Sequence, residues 1–209
     1  MYTPEAFKED DPERLDTLMR AYPFALLLTI FERHIETTHL PFLLDAERGE
    51  RGTLVAHMAR ANPHWHCFDG RRESLVVFTG PHAYVSPSWY AKPTEVPTWN
   101  YAVVHAYGSP VVVAEKTRVR AALEALVGEH EAQVHPPWNT AQAGEDYVNK
   151  QMDYIVAFEM PIARLEGKFK LSQNRGSADR AGVTGALATD ERESGRETAR
   201  LMRQRQGGR

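Results

Sequence analysis

The sequence has a single cysteine, Cys67, in 209 residues. An internal disulfide is excluded, so the fold must be held by its core, as is usual for a protein in a reducing compartment. Long hydrophobic runs are also lacking. The longest, Phe24 to Phe31, is far short of the roughly 20 apolar residues a bilayer-spanning helix needs. The first residues, MYTPEAFKEDDPERL, are acidic and have no apolar signal core. These absences together lead to the expectation of a cytoplasmic protein with no membrane segment. Charge of one sign is not in excess either: the formal net charge is -3, which sets up no global field for nucleic acid or anionic lipid. GxGxxG, Walker A, GxSxG and HExxH are all missing, which removes the common dinucleotide, P-loop, hydrolase and zinc-protease signatures. No repeat of solenoid period is present.

What is present suits one sizeable domain, or one domain with a helical appendage: 42% hydrophobic and 25% charged residues. Asp10 or Asp11, Pro12 and Glu13 start a helix over 10–22, with Leu15, Leu18, Met19 and Tyr22 on one stripe. Strands are expected at Phe24–Phe31, in a returning arm over 35–44, and at Thr53–Ala59. Pro63 to Phe68 suits one helical turn, as does the segment from Ser86 to Tyr90, where Ser86 precedes Pro87. Leu75–Thr79 reads as a strand ended by Gly80-Pro81 and resumed at 83–85. Lys92 to Pro97 reads as a proline-rich loop, and Trp99 to Val113 as a strand pair bent at Gly108-Ser109-Pro110. Helices are expected over 117–130 and 144–152, then strands at 154–160 and 163–171 separated by a turn at Pro161-Ile162. After Gln173 aromatics vanish and Arg, Gly and Ala rise, giving two helices near 178–188 and 190–205. Strands dominate the middle without alternating with helices, which argues for an antiparallel barrel with helical additions over a doubly wound sheet.

The chemistry-bearing residues gather between Leu54 and Tyr107, where strand-like runs end in polar, aromatic corners: LVAHMARANPHW, LVVFTGPHAYVSPSWY and VPTWNYAVVHAYG. His57, His64, His66 and Cys67 have no standard zinc spacing, and no metal is assigned. His64 and His66 read as partly exposed loop residues and Cys67 as a small buried hydrophobe. His57 lies inside a strand, either as a satisfied core histidine or as a ring- or haem-contacting one. Arg60 at a strand end can pair with phosphate, and Ser86 and Ser88 can add hydroxyls. Lys168 and Lys170 flank Phe169 on one strand face, either for an anion or as guards of an edge strand. Trp89, Tyr90, Trp99 and Tyr101 offer flat surfaces that would suit a ring, a core or a dimer interface. Arg192, Arg196, Arg200 and Arg203 make a basic stripe on the last helix, read as a solvated face in preference to a DNA contact.

In these segments, with THLPFLLD, GTLVAHMARANPHW, LEGKFKLSQNR and DRAGV, the chain resembles the PaiB-like family of FMN-binding negative transcriptional regulators over roughly residues 1–183. The resemblance implies a mainly β fold with α additions: an antiparallel split β-barrel of the FMN-binding, pyridoxamine 5′-phosphate oxidase-like type. Residues 1–174 would form that domain and residues 175–209 a helical, Arg-rich extension. It also implies a homodimer with FMN at the subunit interface. By matching motifs, His57, Met58, Ala59, Arg60 and Asn62 would meet the flavin along their strand. Thr79, Ser86 and Ser88 would lie near its phosphate and ribityl chain, and Trp99, Asn100 and Tyr101 at its ring. Lys170, Ser172 and Gln173 would lie close by. The oxidase's catalytic residues are not matched. The function implied is a flavin-dependent negative regulator or sensor, with DNA or a regulatory protein as a further partner. The alternatives are an FMN-dependent oxidoreductase of a small molecule, or a haem-binding or haem-degrading barrel.

Overall fold

A computed structural model of the chain describes residues 1–92 and 95–207. Pro93 and Thr94 of the proline-rich loop, and the last two residues of the C-terminal extension, lie outside the described residues. In chain order the elements are β1 (Lys8–Glu9), α1 (Pro12–Ala21), β2 (Phe24–Phe31), β3 (His34–Pro41), β4 (Leu43–Asp45), β5 (Thr53–Ala59), β6 (Ser74–Val85), β7 (Thr98–Gly108), β8 (Val111–Val112), α2 (Lys116–Glu131), α3 (Glu145–Met152), β9 (Ile155–Lys170), α4 (Ser177–Ala188) and α5 (Glu193–Gly207). Strands pair in the order β3-β2-β6-β7-β9-β5-β4, with β1 and β8 also on β9, and every described register is antiparallel. No helix among the described residues is long and apolar enough to cross a membrane.

Local chemistry explains most boundaries. The Asp11 carboxylate accepts from the Glu13 amide at 3.1 Å, capping α1, and Leu15, Leu18 and Met19 are buried as their spacing requires. The β2–β3 hairpin runs in register from Phe24↔Pro41 to Phe31↔His34, and Glu32 takes positive φ in its two-residue turn. Asn62 and Ser86 accept from the amides two residues on, starting the 3-10 turns Pro63–Cys67 and Pro87–Trp89.

Two expected strand breaks are absent. β6 runs through Gly80-Pro81 and β9 through Pro161. A proline inside a strand costs one ladder donor but leaves the backbone extended. Pro81 lies beyond the described β2–β6 ladder, which covers Ser74 to Val77, and Pro161 stands opposite Thr53 at the end of the described β5–β9 register, where the next amide, Ile162, still donates to the Gly52 carbonyl at 3.0 Å. The edge-strand reading of Lys168 and Lys170 is also corrected, because β9 has β7 as a neighbour and Lys8 of β1 stands opposite Lys168.

The chain divides into two compact units. One comprises residues 1–18, 79–104 and 166–209, the other residues 19–78 and 105–165. In the first, α4 and α5 bury Val183, Leu187, Ala199 and Met202. α4 approaches the Pro87–Trp89 turn so closely that a Cβ on Gly182 would sit 2.1 Å from the Trp89 carbonyl oxygen. The buried Glu9 carboxylate pairs with Arg14 at 3.3 Å and with Arg205 of α5, whose guanidinium also donates to the Lys8 carbonyl at 3.1 Å. In the second unit, Phe42 packs edge-on against Phe78 and Phe158, with centroids 6.0 and 6.1 Å away. A smaller apolar cluster of Val113, Val119, Val148, Met152 and Ala157 lies under α2 and α3.

Candidate functional site

The sequence-derived site residues fall into two groups, one in each unit. In residues 57–62, alternation on β5 sends Met58 into the core and leaves His57 half-buried on the other face. His57 lies opposite Ala157, a member of the α2/α3 cluster. Among the described residues its buried Nδ1 has no hydrogen-bond partner. Burial holds its pKa below the usual histidine value. Ala59 is exposed at the strand end. Arg60 donates from Nε to the Asp153 carbonyl at 2.8 Å and from Nη2 to the Ile155 carbonyl at 2.7 Å. Both acceptors are neutral, and among the described residues no carboxylate pairs with the guanidinium. Asn62 is a structural cap: it accepts from the His64 amide at 3.0 Å and donates to Thr38 Oγ1 at 3.1 Å.

His64 departs from expectation. It is fully buried, not a partly exposed loop residue, because both ring nitrogens are satisfied, Nδ1 by Thr38 Oγ1 at 2.9 Å and Nε2 by Thr29 Oγ1 at 2.8 Å. Thr29 continues the chain to Ser74 Oγ at 2.7 Å. Burial lowers the pKa of His64 and raises that of the Cys67 thiol, which is inert by the same token. Among the described residues no three His, Cys, Asp or Glu side chains gather as a metal site would need.

The second group lies in the first unit. Trp99 and Tyr101 alternate outward from β7 while Asn100 is fully buried. Trp99 is 49% exposed, with the His82 ring 6.3 Å away and the Tyr84 ring 6.0 Å away. Lys168 Nζ lies 5.5 Å from the Tyr101 ring centre, and Lys170 Nζ donates to Thr98 Oγ1 and the Trp99 carbonyl, both at 2.6 Å. Burial is the main cause that pushes the pKa of half-buried Lys170 down, and the like charges of Arg175 and Lys168 add to it. Ser86 and Ser88 share a hydroxyl–hydroxyl bond of 2.8 Å, and Thr79 is exposed on β6. Asn100 bonds Ser172, while Gln173 folds back, accepting from the Leu171 amide at 2.6 Å and donating to the Phe169 carbonyl.

The structure therefore brings Trp99, Asn100 and Tyr101 together with Lys170, Ser172 and Gln173. His82 and Tyr84 were missed by sequence reasoning, although the alternation of β6 with Ser86 signalled their direction. The carbonyl acceptors of Arg60 had no signal at all, because backbone oxygens carry no residue identity. The side chains brought together on β7 and β9 suit a flat, anionic cofactor: stacking area from Trp99 and Tyr101, and two cations, Lys168 and Lys170, whose described bonds go to neutral oxygens or to a ring.

The chain is similar to the protease synthase and sporulation protein PAI 2 of Bacillus subtilis (strain 168), at 30% identity over 202 residues, 97% of this chain and 96% of that one. Among solved structures it shares its fold with the FAD and heme binding protein from Mycobacterium smegmatis (TM-score 0.59, 18% identity, 78% of this chain and 73% of that one). The flavocytochrome Anf3 from Azotobacter vinelandii is similar at TM-score 0.55 and 14% identity, over 84% of this chain and 75% of that one. The antiparallel sheet with helical additions thus has the split-barrel fold expected from the sequence. Residues 1–164 match the family described as "Putative FMN-binding domain", and the chain belongs to that family.

Proposed function

We propose that the protein is an FMN-binding homodimer acting as a PaiB-like negative regulator, with Trp99, Tyr101, Ser86, Ser88, Thr79 and Lys170 meeting the cofactor, and Asn100, Ser172 and Gln173 positioning them. The observation that carries the reading is Lys170: a half-buried cation whose bonds among the described residues go to neutral oxygens, with the like charges of Arg175 and Lys168 acting on it, beside an exposed indole. An anion placed there relieves the repulsion, and a phosphate on a flat ring system supplies one. When bound, FMN supplies one- and two-electron redox chemistry. The residues of the chain bind, orient and hold charge.

The homodimer reading is supported by an unpartnered apolar sheet face. Phe24 and Ile30 share one face of β2, and Ile30 stands directly opposite Ile35 of β3; all three are at least 60% exposed. The regulatory role rests on similarity to PAI 2, named as a protease synthase and sporulation protein. With a net charge of -3, control through a metabolite or a protein partner suits the chain better than direct operator contact.

Titration of the purified protein with FMN, followed by flavin absorbance, tests the reading. Saturable uptake is expected, weakened about tenfold or more by Lys170→Ala and by Trp99→Ala. Absence of uptake overturns the cofactor reading, and full-strength uptake by both variants overturns the residue assignment. Sedimentation equilibrium should give twice the chain mass, and gel shifts at two salt concentrations decide whether DNA is a direct partner.

A further inference from the structure

A pocket of about 250 Å³ lies wholly within the second unit. Its wall is apolar, with Val119 of α2, Met152 of α3 and the indole of Trp65, and its mouth carries Arg60, Lys116 and Asp153. These three charges sum to +1. Lys116 and Asp153 face each other at 3.5 Å with both side chains well exposed, so that pair is weak and easily rearranged. Arg60 is different. Its two bonds to carbonyl oxygens fix the guanidinium plane without neutralising it, and they use Nε and one Nη2 hydrogen. Three of its five N–H groups remain, including both on Nη1. Trp65 Nε1 donates to the Arg60 carbonyl at 3.0 Å, so the indole is held as part of the wall.

Size and chemistry together restrict the occupant. The pocket falls below the roughly 300–1,000 Å³ typical of sites for drug-sized ligands, so it is too small for a whole flavin nucleotide. An apolar wall under a fixed guanidinium that pairs with no carboxylate among the described residues selects a compact hydrocarbon body carrying one anionic group, and a carboxylate matches the guanidinium fork. We propose that this pocket is a binding site for a small monocarboxylate with a branched or aromatic body, separate from the flavin-binding face. It gives the protein an input for a metabolite independent of its cofactor.

The probe is benzoate, with benzamide as its neutral isostere, titrated into the full chain by calorimetry with and without FMN. Saturable one-to-one binding of benzoate below about 10 mM is expected, with benzamide weaker by about tenfold or more. Lys116→Glu, at the exposed mouth where folding is not at stake, should weaken benzoate about tenfold and leave benzamide unchanged. Val119→Trp, which fills the pocket, should abolish benzoate binding while FMN uptake stays as in the parent. Three results each overturn the proposal: no saturation, equal affinity for the two probes, or undiminished benzoate binding in both variants. Loss of FMN uptake by the parent protein with benzoate binding intact would count against the flavin reading alone.

Discussion

Asn100 and Ser172 hold each other in a reciprocal pair: Nδ2 of Asn100 donates to Ser172 Oγ at 2.9 Å, and Ser172 Oγ returns a bond to Asn100 Oδ1 at 3.2 Å. Both are buried, and Ser172 takes positive φ where β9 ends. Asn100 Nδ2 also lies 3.5 Å from the sulfur of Met202 on α5. One buried amide thereby links β7, the end of β9 and the C-terminal helix, and fixes which residues of β7 face outward.

Removing that amide should be felt in stability before function. Asn100→Ala leaves the Ser172 hydroxyl buried and unmatched, at a cost of about 1–3 kcal/mol. Adding Ser172→Gly removes the unmatched hydroxyl and relaxes the positive φ, so the double variant should lose less than the two single losses combined. Urea denaturation midpoints at constant m-value measure the coupling, and strict additivity would show that the pair is not the link described.

Two glycines should respond in opposite directions to the same change. A Cβ on Gly108 would lie 2.3 Å from the Pro161 carbonyl oxygen, so Gly108→Ala must push backbone apart, at a cost of about 1–3 kcal/mol or more. Gly128 lies inside α2, and its Cβ would meet nothing within 4 Å, so Gly128→Ala should stabilise by about 0.5–1 kcal/mol. Thermal melts of the two variants should move apart around the parent value.

Elements whose signals are local were legible in the sequence. Pro12 after Asp11 marked α1, Ser86 before Pro87 marked a capped turn, and the dense run Phe24–Phe31 became a strand with those limits. The failures came where a residue's meaning depended on a distant neighbour. Pro81 and Pro161 read as breaks because the sequence does not say which partners hold each strand extended through them. His64 read as a loop histidine because Thr29 and Thr38, which satisfy its two nitrogens, lie 35 and 26 positions away. The candidate face was half legible: the alternation of Trp99 with Tyr101 and of Lys168 with Lys170 was visible, but their meeting across β7 and β9 was not.

Acid should weaken the fold through two histidines. His57 and His64 both have pKa values lowered by burial, so near and below the usual histidine value of about 6.5 the unfolded chain takes up protons that the native state refuses. The stability they contribute is fully present above that value and is lost as pH falls from it toward the folded values, by at most about 1.4 kcal/mol per pH unit for each histidine. Denaturation midpoints between pH 8 and pH 5 should fall, and His57→Phe should flatten the slope. An unchanged slope in that variant would remove His57 from the account.

Lys170 makes flavin binding depend on alkali. Its pKa is held below the usual lysine value by burial and by the neighbouring Arg175 and Lys168 charges, so it begins to lose its proton earlier than an exposed lysine as pH rises. A phosphate favours the charged form and raises that pKa again, so binding in this window takes up a proton. FMN affinity should fall as pH rises through the window. Calorimetric titrations in buffers of different ionisation enthalpy should show proton uptake in the alkaline range that is missing in a Lys170→Met control. If the control shows the same alkaline uptake as the parent, the phosphate is held elsewhere and Lys170 only braces Thr98 and the Trp99 carbonyl.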